Sequence, residues 1–374
     1  MKDNRLALRV KEIQGVLHEI PEVGFAEYKT AAFLAQQLGA AGYQIQTGVG
    51  GTGIIGLLTS DKPGPVLALR ADMDALGHLV DGKECAIHSC GHDSHSAMVL
   101  TVAEELARKG IECGTVKILF QPAEECLFGA VRVIADGAID DVDVLIGIHL
   151  RPMQEAKTGQ ATPALYHGSS YIVEAVISGL AAHAARPHLG VNAIDAAAAA
   201  IQAVNAIHID PTIPATAKVT KIQAGGPALN AIPDKAYIAL DLRTQKNDTM
   251  EELISKVTRA IKGGAATVGA EAKVEVIGGV PAAEYNSEIT ALAAEAITAV
   301  LGEEGLLDPL TTPGGEDFHF YVQHKPSLKV GYIGLGANAA PGLHHPEMKF
   351  DRDAMINGVN IILYMVNKLV GIKA

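Results

Sequence analysis

Short apolar runs that each end in polar side chains constrain the fold of this chain most strongly. A helical pattern over about residues 94–109 separates the first two runs, with Asp93 as the predicted N-cap and Gly110 as the predicted stop. Apolar runs that alternate with helices predict an α/β fold with a largely parallel sheet and helices on both faces. The runs are residues 66–69 before Arg70, Asp72 and Asp74, residues 116–120 before Gln121, Glu124 and Glu125, and residues 144–148 before His149.

The pattern changes in the middle of the chain. Residues 167–279 favour the order strand, helix, strand, strand, helix, strand, which is typical of a small α+β sandwich. After this segment, alternating helices and strands return. A chain of 374 residues is also too long for one ordinary core. We therefore predict a larger domain formed by residues 1–166 and 280–374, with residues 167–279 inserted into it.

Composition excludes several classes of partner. The net charge is -12 and basic residues do not cluster, which argues against nucleic acid. No apolar run is long enough to span a bilayer, and the first residues lack the apolar core of a signal peptide, so we expect no membrane partner. Without an export signal, four cysteines in a chain of this length do not indicate a disulfide framework. We expect a cytoplasmic protein whose thiols are free to bind metal.

The segment HSCGHDSH, residues 88–95, is the strongest local signal. A thiol and an imidazole two positions apart, Cys90 and His92, can both face one ion from a tight loop, and Gly91 permits the turn. The alternative is a loop before a helix, with Cys90 packed in the core and His92 capping the helix. This segment alone leaves both interpretations open.

The adjacent carboxylates Glu124 and Glu125 follow a predicted strand. Bringing two carboxylates together is costly unless a cation neutralises them or one is protonated. A metal ligand beside a general base meets both conditions, whereas a solvated acidic turn is the simpler alternative. His149 likewise follows an apolar strand, where a histidine is often only a core residue. His344 and His345 lie in a loop rich in glycine and proline.

The combination of these residues points to two metal ions. Five ligand-type side chains are more than one ion needs, whereas two ions that share a bridging ligand would use them all. Paired ions roughly 3.5–4 Å apart commonly activate a bridging water for hydrolysis. Mixed thiolate, imidazole and carboxylate ligands favour zinc, with manganese or cobalt as alternatives. The five residues are Cys90, His92, Glu125, His149 and His344.

Together the motifs resemble the M20 peptidase family, in its branch of aminoacylases, auxin-conjugate hydrolases and N-acetyl-diaminopimelate deacetylases. The resemblance covers nearly the whole chain. It implies a zinc-peptidase-like catalytic domain with an inserted lid and dimerisation domain. The matching segments, in order, are HEIPEVGFAEYKT, LRADMDAL, CGHDSH, FQPAEE, GIHL, AAHAARPH, NAIPD, GGEDF and LHHPE.

The resemblance also implies roles for single residues. Glu124 matches the general base, which takes a proton from the bridging water and passes it to the leaving nitrogen. In the inserted domain, His183 matches a residue that contacts the scissile carbonyl, and Asn230 and Arg243 match the groups that hold a substrate carboxylate. For the metals, Cys90 matches the bridging ligand, His92 and Glu125 match the ligands of one ion, and His149 and His344 match those of the other.

Three segments depart from the pattern of this branch. Residues 76–88 are shorter and lack the usual proline and glutamate, and GLAAHAARP lacks the glycines that normally precede the histidine. His345 stands where serine is frequent, so the choice between His344 and His345 as ligand stays open. The short segment would border the substrate pocket.

The expected function is metal-dependent hydrolysis of the amide bond in N-acyl amino acids or small peptide-like substrates. One alternative is a dipeptidase or carboxypeptidase of the same family. Another, from a different class, is a non-catalytic metal-binding assembly protein, although the presence of both Glu124 and Glu125 speaks against it. A homodimer through the inserted domain is implied by the resemblance, with His183 reaching the neighbouring site.

Overall fold

A computed structural model of the protein describes residues 4–373. Contacts between residues divide the chain into two compact units. The first contains residues up to 166, residues 284–311 and residues from 316 onward, and the second contains residues 167–283 and 312–315. The lid and dimerisation roles of the inserted segment stay predictions.

Within residues 4–373 there are nine α-helices and seventeen strands. The helices α1 to α9 are Asn4–His18, Tyr28–Ala40, His92–Lys109, Gly129–Ala135, Ala193–Asn205, Asn247–Ala266, Ser287–Leu301, Phe320–His324 and Met355–Val370. The strands β1 to β17 are Gln44–Val49, Gly53–Thr59, Val66–Asp72, Leu76–Val80, Lys83–Ile87, Thr115–Gln121, Val144–Pro152, Ala161–Thr162, Leu165–His167, Ser169–Ser178, Ala182–His183, Ala215–Ala224, Ala231–Ile232, Lys235–Thr244, Glu271–Val280, Leu310–Thr312 and Lys329–Ala339.

The first unit is built on a seven-stranded mixed sheet in the order β1-β2-β6-β3-β7-β17-β8. The four central strands, β6, β3, β7 and β17, are parallel to one another, and the pairs toward both edges are antiparallel. The predicted α/β class is confirmed, and the predicted parallel pairing holds for the centre of the sheet. Parallel central strands bring their carboxyl ends to one edge, which is where sites form in such folds.

Alternating side chains of the central strands supply two separate cores. Leu67 and Leu69 of β3 belong to the core that α1, α2, α3, α7 and α9 cover, whereas Ala68 belongs to the core beside α4 and α8. Because successive side chains in a strand point to opposite faces, an unbroken apolar run buries both faces at once. Helices on both sides of the sheet follow from this pattern.

The second unit is a four-stranded antiparallel sheet in the order β12-β14-β10-β15, covered by α5 and α6. Its helices pack closely because Gly264 of α6 faces the backbone of Ala200 in α5, where a Cβ atom would lie 2.6 Å from the Ala200 Cα atom. The predicted order of strands and helices in this segment is confirmed for the long elements, and the two-residue strands β11 and β13 are additional to it.

One predicted helix boundary is wrong. Asp93 does not cap α3: the helix begins at His92, and Gly91 occupies the N-cap position with a φ of 86°. The Asp93 carboxylate accepts hydrogen bonds from Gln14 Nε2 at 2.7 Å and from the N–H of Ser94 at 2.9 Å. The predicted stop at Gly110 is confirmed. The expectation about the first residues falls on Met1 to Asp3, which lie outside the described residues.

Helices suited to crossing a bilayer are missing from residues 4–373, because none combines sufficient length with sufficient apolar character.

Candidate metal centre

The carboxyl ends of the central strands deliver the candidate ligands to one edge of the sheet. Asp72 ends β3 and Asp74 follows it, Glu124 and Glu125 follow β6, and His149 lies near the end of β7. The loop after β17 carries His344. All of these residues belong to the first unit.

Gly91 allows Cys90 and His92 to approach the end of β7. Its backbone is in the left-handed region, and a Cβ atom there would lie 3.0 Å from Leu150 Cδ1. The turn therefore requires glycine both for its φ and for space. On either side of it, Cys90 and His92 are buried, and Cys90 Sγ lies 3.5 Å from His149 Nε2.

Partners at Nδ1 orient two of the three ligand-type histidines. His92 Nδ1 donates to Asp74 Oδ1 at 3.1 Å, and His149 Nδ1 donates to the carbonyl of Leu150 at 2.6 Å. With the proton fixed on Nδ1, each ring presents Nε2 as its lone-pair atom. Metal-binding histidines are commonly oriented by such a carboxylate or carbonyl.

His95 lies among these residues but has no free ring nitrogen. Its Nδ1 donates to Asp72 Oδ1 at 2.6 Å, and its Nε2 accepts the N–H of Leu150 at 2.9 Å. Both nitrogens are therefore used within the fold. His95 supports the end of β7 and does not act as a ligand.

The donor atoms fit divalent cations. His92 Nε2 and Glu125 Oε1 lie 3.7 Å apart, are buried, and form no hydrogen bond with any described residue. His344 Nε2 lies 3.4 Å from the same carboxylate oxygen. Buried polar atoms without partners are costly, and a bound cation would offset that cost. Thiolate, imidazole and carboxylate are all established metal donors.

The two adjacent histidines of the last loop have different surroundings. His344 groups with Cys90 and Glu125, and its N–H donates to the Ser89 carbonyl at 2.8 Å. Both side chains are exposed, but the Nδ1 atom of His345 accepts the N–H of Glu347 at 3.1 Å. The geometry favours His344 as the ligand.

The neighbouring carboxylates Glu124 and Glu125 differ in their proton affinity. Burial and the charges of Glu316 and Glu125 raise the pKa of Glu124 well above its usual value. Burial acts in the same direction on Glu125, but the close contact with His344 and the charge of His92 lower its pKa overall. Environments that separate two carboxylates in this way suit one to proton transfer and the other to ligation.

Behind the ligands lies a buried charge network to which the sequence analysis assigned no role. Arg70 donates to Asp72 at 2.7 Å, to Glu316 at 3.0 Å and to Asp317 at 3.1 Å. Its Nε donates to Gln121 Oε1 at 2.8 Å. Two features of the sequence could have identified these residues. Arg70 and Asp72 lie at the end of a predicted strand, and the GGEDF motif contains Glu316 and Asp317. Asp74 also has a role that the sequence analysis missed, which is to orient His92.

The second unit holds the other three predicted site residues. His183 pairs with Ala231 across β11 and β13, and the N–H of Ala184 donates to the Asn230 carbonyl, so His183 and Asn230 lie together. Arg243 lies on β14, where its guanidinium contacts both carboxylate oxygens of Asp241 at 2.8 and 3.2 Å.

Comparison with known proteins establishes the family. The profile described as "Peptidase family M20/M25/M40" matches residues 68–368, most of the chain. This chain belongs to peptidase family M20. An N-acetyl-L-cysteine deacetylase from Bacillus subtilis is 33% identical to this M20 protein over 92% of the chain and 85% of the relative. A hippurate hydrolase from Campylobacter jejuni is 31% identical over 91% of both chains.

A solved structure is similar over the whole length. A dinuclear metal-binding peptidase of family M20 from Bacillus subtilis has a TM-score of 0.82 and 27% sequence identity, with 98% of this chain and 99% of that chain covered. The predicted resemblance to family M20 is therefore confirmed. With a converging set of metal-type ligands, the M20 protein is a metal-dependent amidohydrolase.

Replacing the two adjacent histidines separately tests the ligand assignment. We expect His344→Ala to lower metal content from about two ions per chain to about one, because one ion loses a ligand. His345→Ala is the matched control and should keep the parent's metal content. Elemental analysis of the purified variants measures both. Loss of metal in the His345 variant alone would reverse the assignment.

Proposed function

We propose that this M20 protein hydrolyses the amide bond of small N-acyl amino acids at a site for two divalent ions. The observation that carries the proposal is the convergence of five ligand-type side chains, Glu125 among them, beside the buried carboxylate of Glu124. In this proposal Cys90 would be the ligand shared by the two ions, His92 and Glu125 would hold one ion, and His149 and His344 would hold the other.

The donor set favours zinc, with manganese or cobalt as alternatives, since a thiolate is a soft ligand. When bound, the ions would lower the pKa of a water molecule and polarise the scissile carbonyl. Ligation by Cys90 requires a reduced thiol, and all four cysteines are free. A reducing compartment such as the cytoplasm suits this requirement.

In the proposed reaction Glu124 transfers protons. It would take a proton from the attacking water and return it to the leaving nitrogen. Burial and the neighbouring carboxylates raise its pKa. Only 5% of the residue is exposed, which limits exchange of that proton with bulk water. Glu125, with its lowered pKa, is suited to ligation instead.

The substrate class is inferred from the relatives. Their names describe an N-acetyl-L-cysteine deacetylase and a hippurate hydrolase, and both substrates are N-acyl amino acids with a free carboxylate. The alternative within the family is a dipeptidase or carboxypeptidase. A panel of N-acetyl, N-benzoyl and indole-acyl amino acids with dipeptides, assayed with zinc, manganese or cobalt, distinguishes them. Turnover of dipeptides alone would favour the alternative.

Substitution of the adjacent carboxylates separates proton transfer from metal binding. Glu124→Gln should keep its metal and lower kcat by about 10²- to 10⁴-fold, because the proton carrier is lost. Glu125→Gln should lose metal, because the amide is a weaker ligand. Each variant serves as the control for the other, since both replace a carboxylate by an isosteric amide. Equal metal loss in the two variants would contradict the assigned roles.

Arg243 and Asn230 are the residues that we propose bind the substrate carboxylate. A planar guanidinium suits that task, and a bound carboxylate would compete with Asp241 for it.

Converting the substrate's carboxylate to an amide tests whether these residues bind it. We expect the free acid to exceed its amide roughly 10- to 100-fold in kcat/KM, as for a lost charge-assisted hydrogen bond. Arg243→Ala should remove most of this preference. Lys218→Ala, which removes a positive charge from the adjacent strand β12, is the matched control and should retain it. Equal rates for acid and amide in the parent protein would refute the role.

His183 is the proposed second catalytic residue, acting across a homodimer of the inserted domain. Its side chain is exposed and its Nδ1 accepts the N–H of Ala185 at 3.1 Å, so the neutral ring carries a proton on Nε2 and can donate to a substrate oxygen. On α5, Ile194 is exposed and available for an apolar contact, whereas Ala197 is buried in the unit's own core.

Subunit complementation tests both parts of this proposal. His183→Ala and Glu124→Gln proteins should each be nearly inactive, and a mixed dimer should regain activity because one of its sites retains both residues. Subunit exchange is verified with two distinguishable tags. No recovery after proven exchange would show that His183 does not act in the neighbouring chain.

A further inference from the structure

The backbone on both sides of Glu124 is held by buried carboxylates. The N–H of Ala123 donates to Glu27 Oε1 at 2.8 Å, and the N–H of Glu125 donates to Asp74 Oδ2 at 3.0 Å. Ala123 has a φ of 53°, in the left-handed region that non-glycine residues seldom adopt. A strained residue persists only where its surroundings hold it. The conformation that presents Glu124 therefore depends on these two acceptors.

Burial and a second hydrogen bond hold the Glu27 side chain in place. The residue has no exposed surface, and its other oxygen accepts the hydroxyl of Thr52 at 2.6 Å. Among residues 4–373 it forms no ion pair, and burial raises the pKa of its carboxyl group. In either protonation state the side chain offers an oxygen to the Ala123 N–H. Burying a carboxyl group without a cation is costly, so its position calls for a specific contact.

Helix capping does not explain the Glu27 side chain. Glu27 stands at the N-cap position of α2, yet its side chain forms no capping hydrogen bond. Glu22 performs that task, since its carboxylate accepts the N–H of Lys29 at 2.9 Å and the N–H of Thr30 at 3.0 Å. Two glutamates of the same short segment thus have different partners, one on its own helix and the other beside Glu124.

Glu27 and Asp74 also differ in what else they contact. Asp74 orients His92, so a change at Asp74 would disturb a candidate metal ligand as well as the backbone. The side-chain hydrogen bonds of Glu27 go to Ala123 and Thr52. A change at Glu27 therefore affects the Glu124 backbone without touching a candidate ligand.

We propose that Glu27 is a positioning residue for Glu124, acting through its hydrogen bond to the Ala123 N–H. The inference rests on the proposed role of Glu124 as the group that transfers protons. It concerns the turnover step and not the binding of metal or substrate. The presence of an acceptor atom at this position is what matters, rather than its charge.

Substitutions of similar size at Glu27 test the acceptor. Glu27→Met fills the same space without an acceptor, and it should lower kcat roughly 10- to 100-fold, as for a buried donor left unpaired. KM and metal content should stay within about twofold of the parent. Glu27→Gln keeps an oxygen for Ala123 and should retain at least about a third of the parent kcat. N-acetyl-L-cysteine and hippurate are the substrates, and elemental analysis gives the metal content.

A double-mutant cycle with Glu124→Gln separates positioning from a general effect on folding. If Glu27 acts through Glu124, Glu27→Met should cause little further loss in the Glu124→Gln background. Glu22→Met is the matched control: it removes the cap of α2 and should lower the melting temperature while kcat stays at the parent level. If Glu27→Met does not fold, Glu27→Asp, which draws the carboxylate back from Ala123, replaces it in the cycle.

Several results would overturn the proposal. These are a kcat of Glu27→Gln as low as that of Glu27→Met, independent effects of the two substitutions in the cycle, and loss of metal from Glu27→Met. Failure of the proposed function has a different signature, because Glu124→Gln would then keep the parent kcat. The cycle therefore distinguishes an error about Glu27 from an error about Glu124.

Discussion

The candidate site depends on one buried guanidinium. Arg70 lies at the end of β3 with no exposed side-chain surface, and it donates to partners from four segments: Asp72, Gln121, Tyr332 and the pair Glu316 and Asp317. A buried charge is tolerated only where it is paired and its hydrogen bonds are made. These partners lie on different strands and on a loop. The hydrogen bonds of the Arg70 guanidinium therefore fix those segments relative to one another.

That constraint carries through to the ligands. Asp72 accepts from Arg70 on one oxygen and from His95 on the other, and His95 in turn accepts the N–H of Leu150 beside His149. Glu316 lies close enough to Glu124 to raise its pKa. The same network thus supports a ligand-bearing strand and adjusts the proton affinity of the neighbouring carboxylate. Removing one member would leave a buried charge unpaired, which is why the network acts as a unit.

Particular elements show how far sequence reasoning extends. The apolar runs before Arg70, Gln121 and His149 predicted the central strands, since a strand buried on both faces must be apolar throughout. The start of α3 was predicted wrongly. Local preference favoured Asp93 as the N-cap, whereas its carboxylate accepts a hydrogen bond from Gln14, which is distant in the sequence. Glu27 was missed for a similar reason: its partner Ala123 lies 96 positions away, and no local pattern links the two.

The sequence by itself determined the fold class, the central strands, the order of the long elements in the inserted segment and the types of side chain that meet at the strand ends, because periodicity and residue chemistry are local properties. Only the tertiary structure decided which atoms of those residues remain available. It occupies both nitrogens of His95, leaves Nε2 of His92 facing Glu125, and brings His344 beside Cys90 and Glu125. These outcomes depend on hydrogen bonds between segments far apart in the chain, and such contacts exist only once the strands have packed.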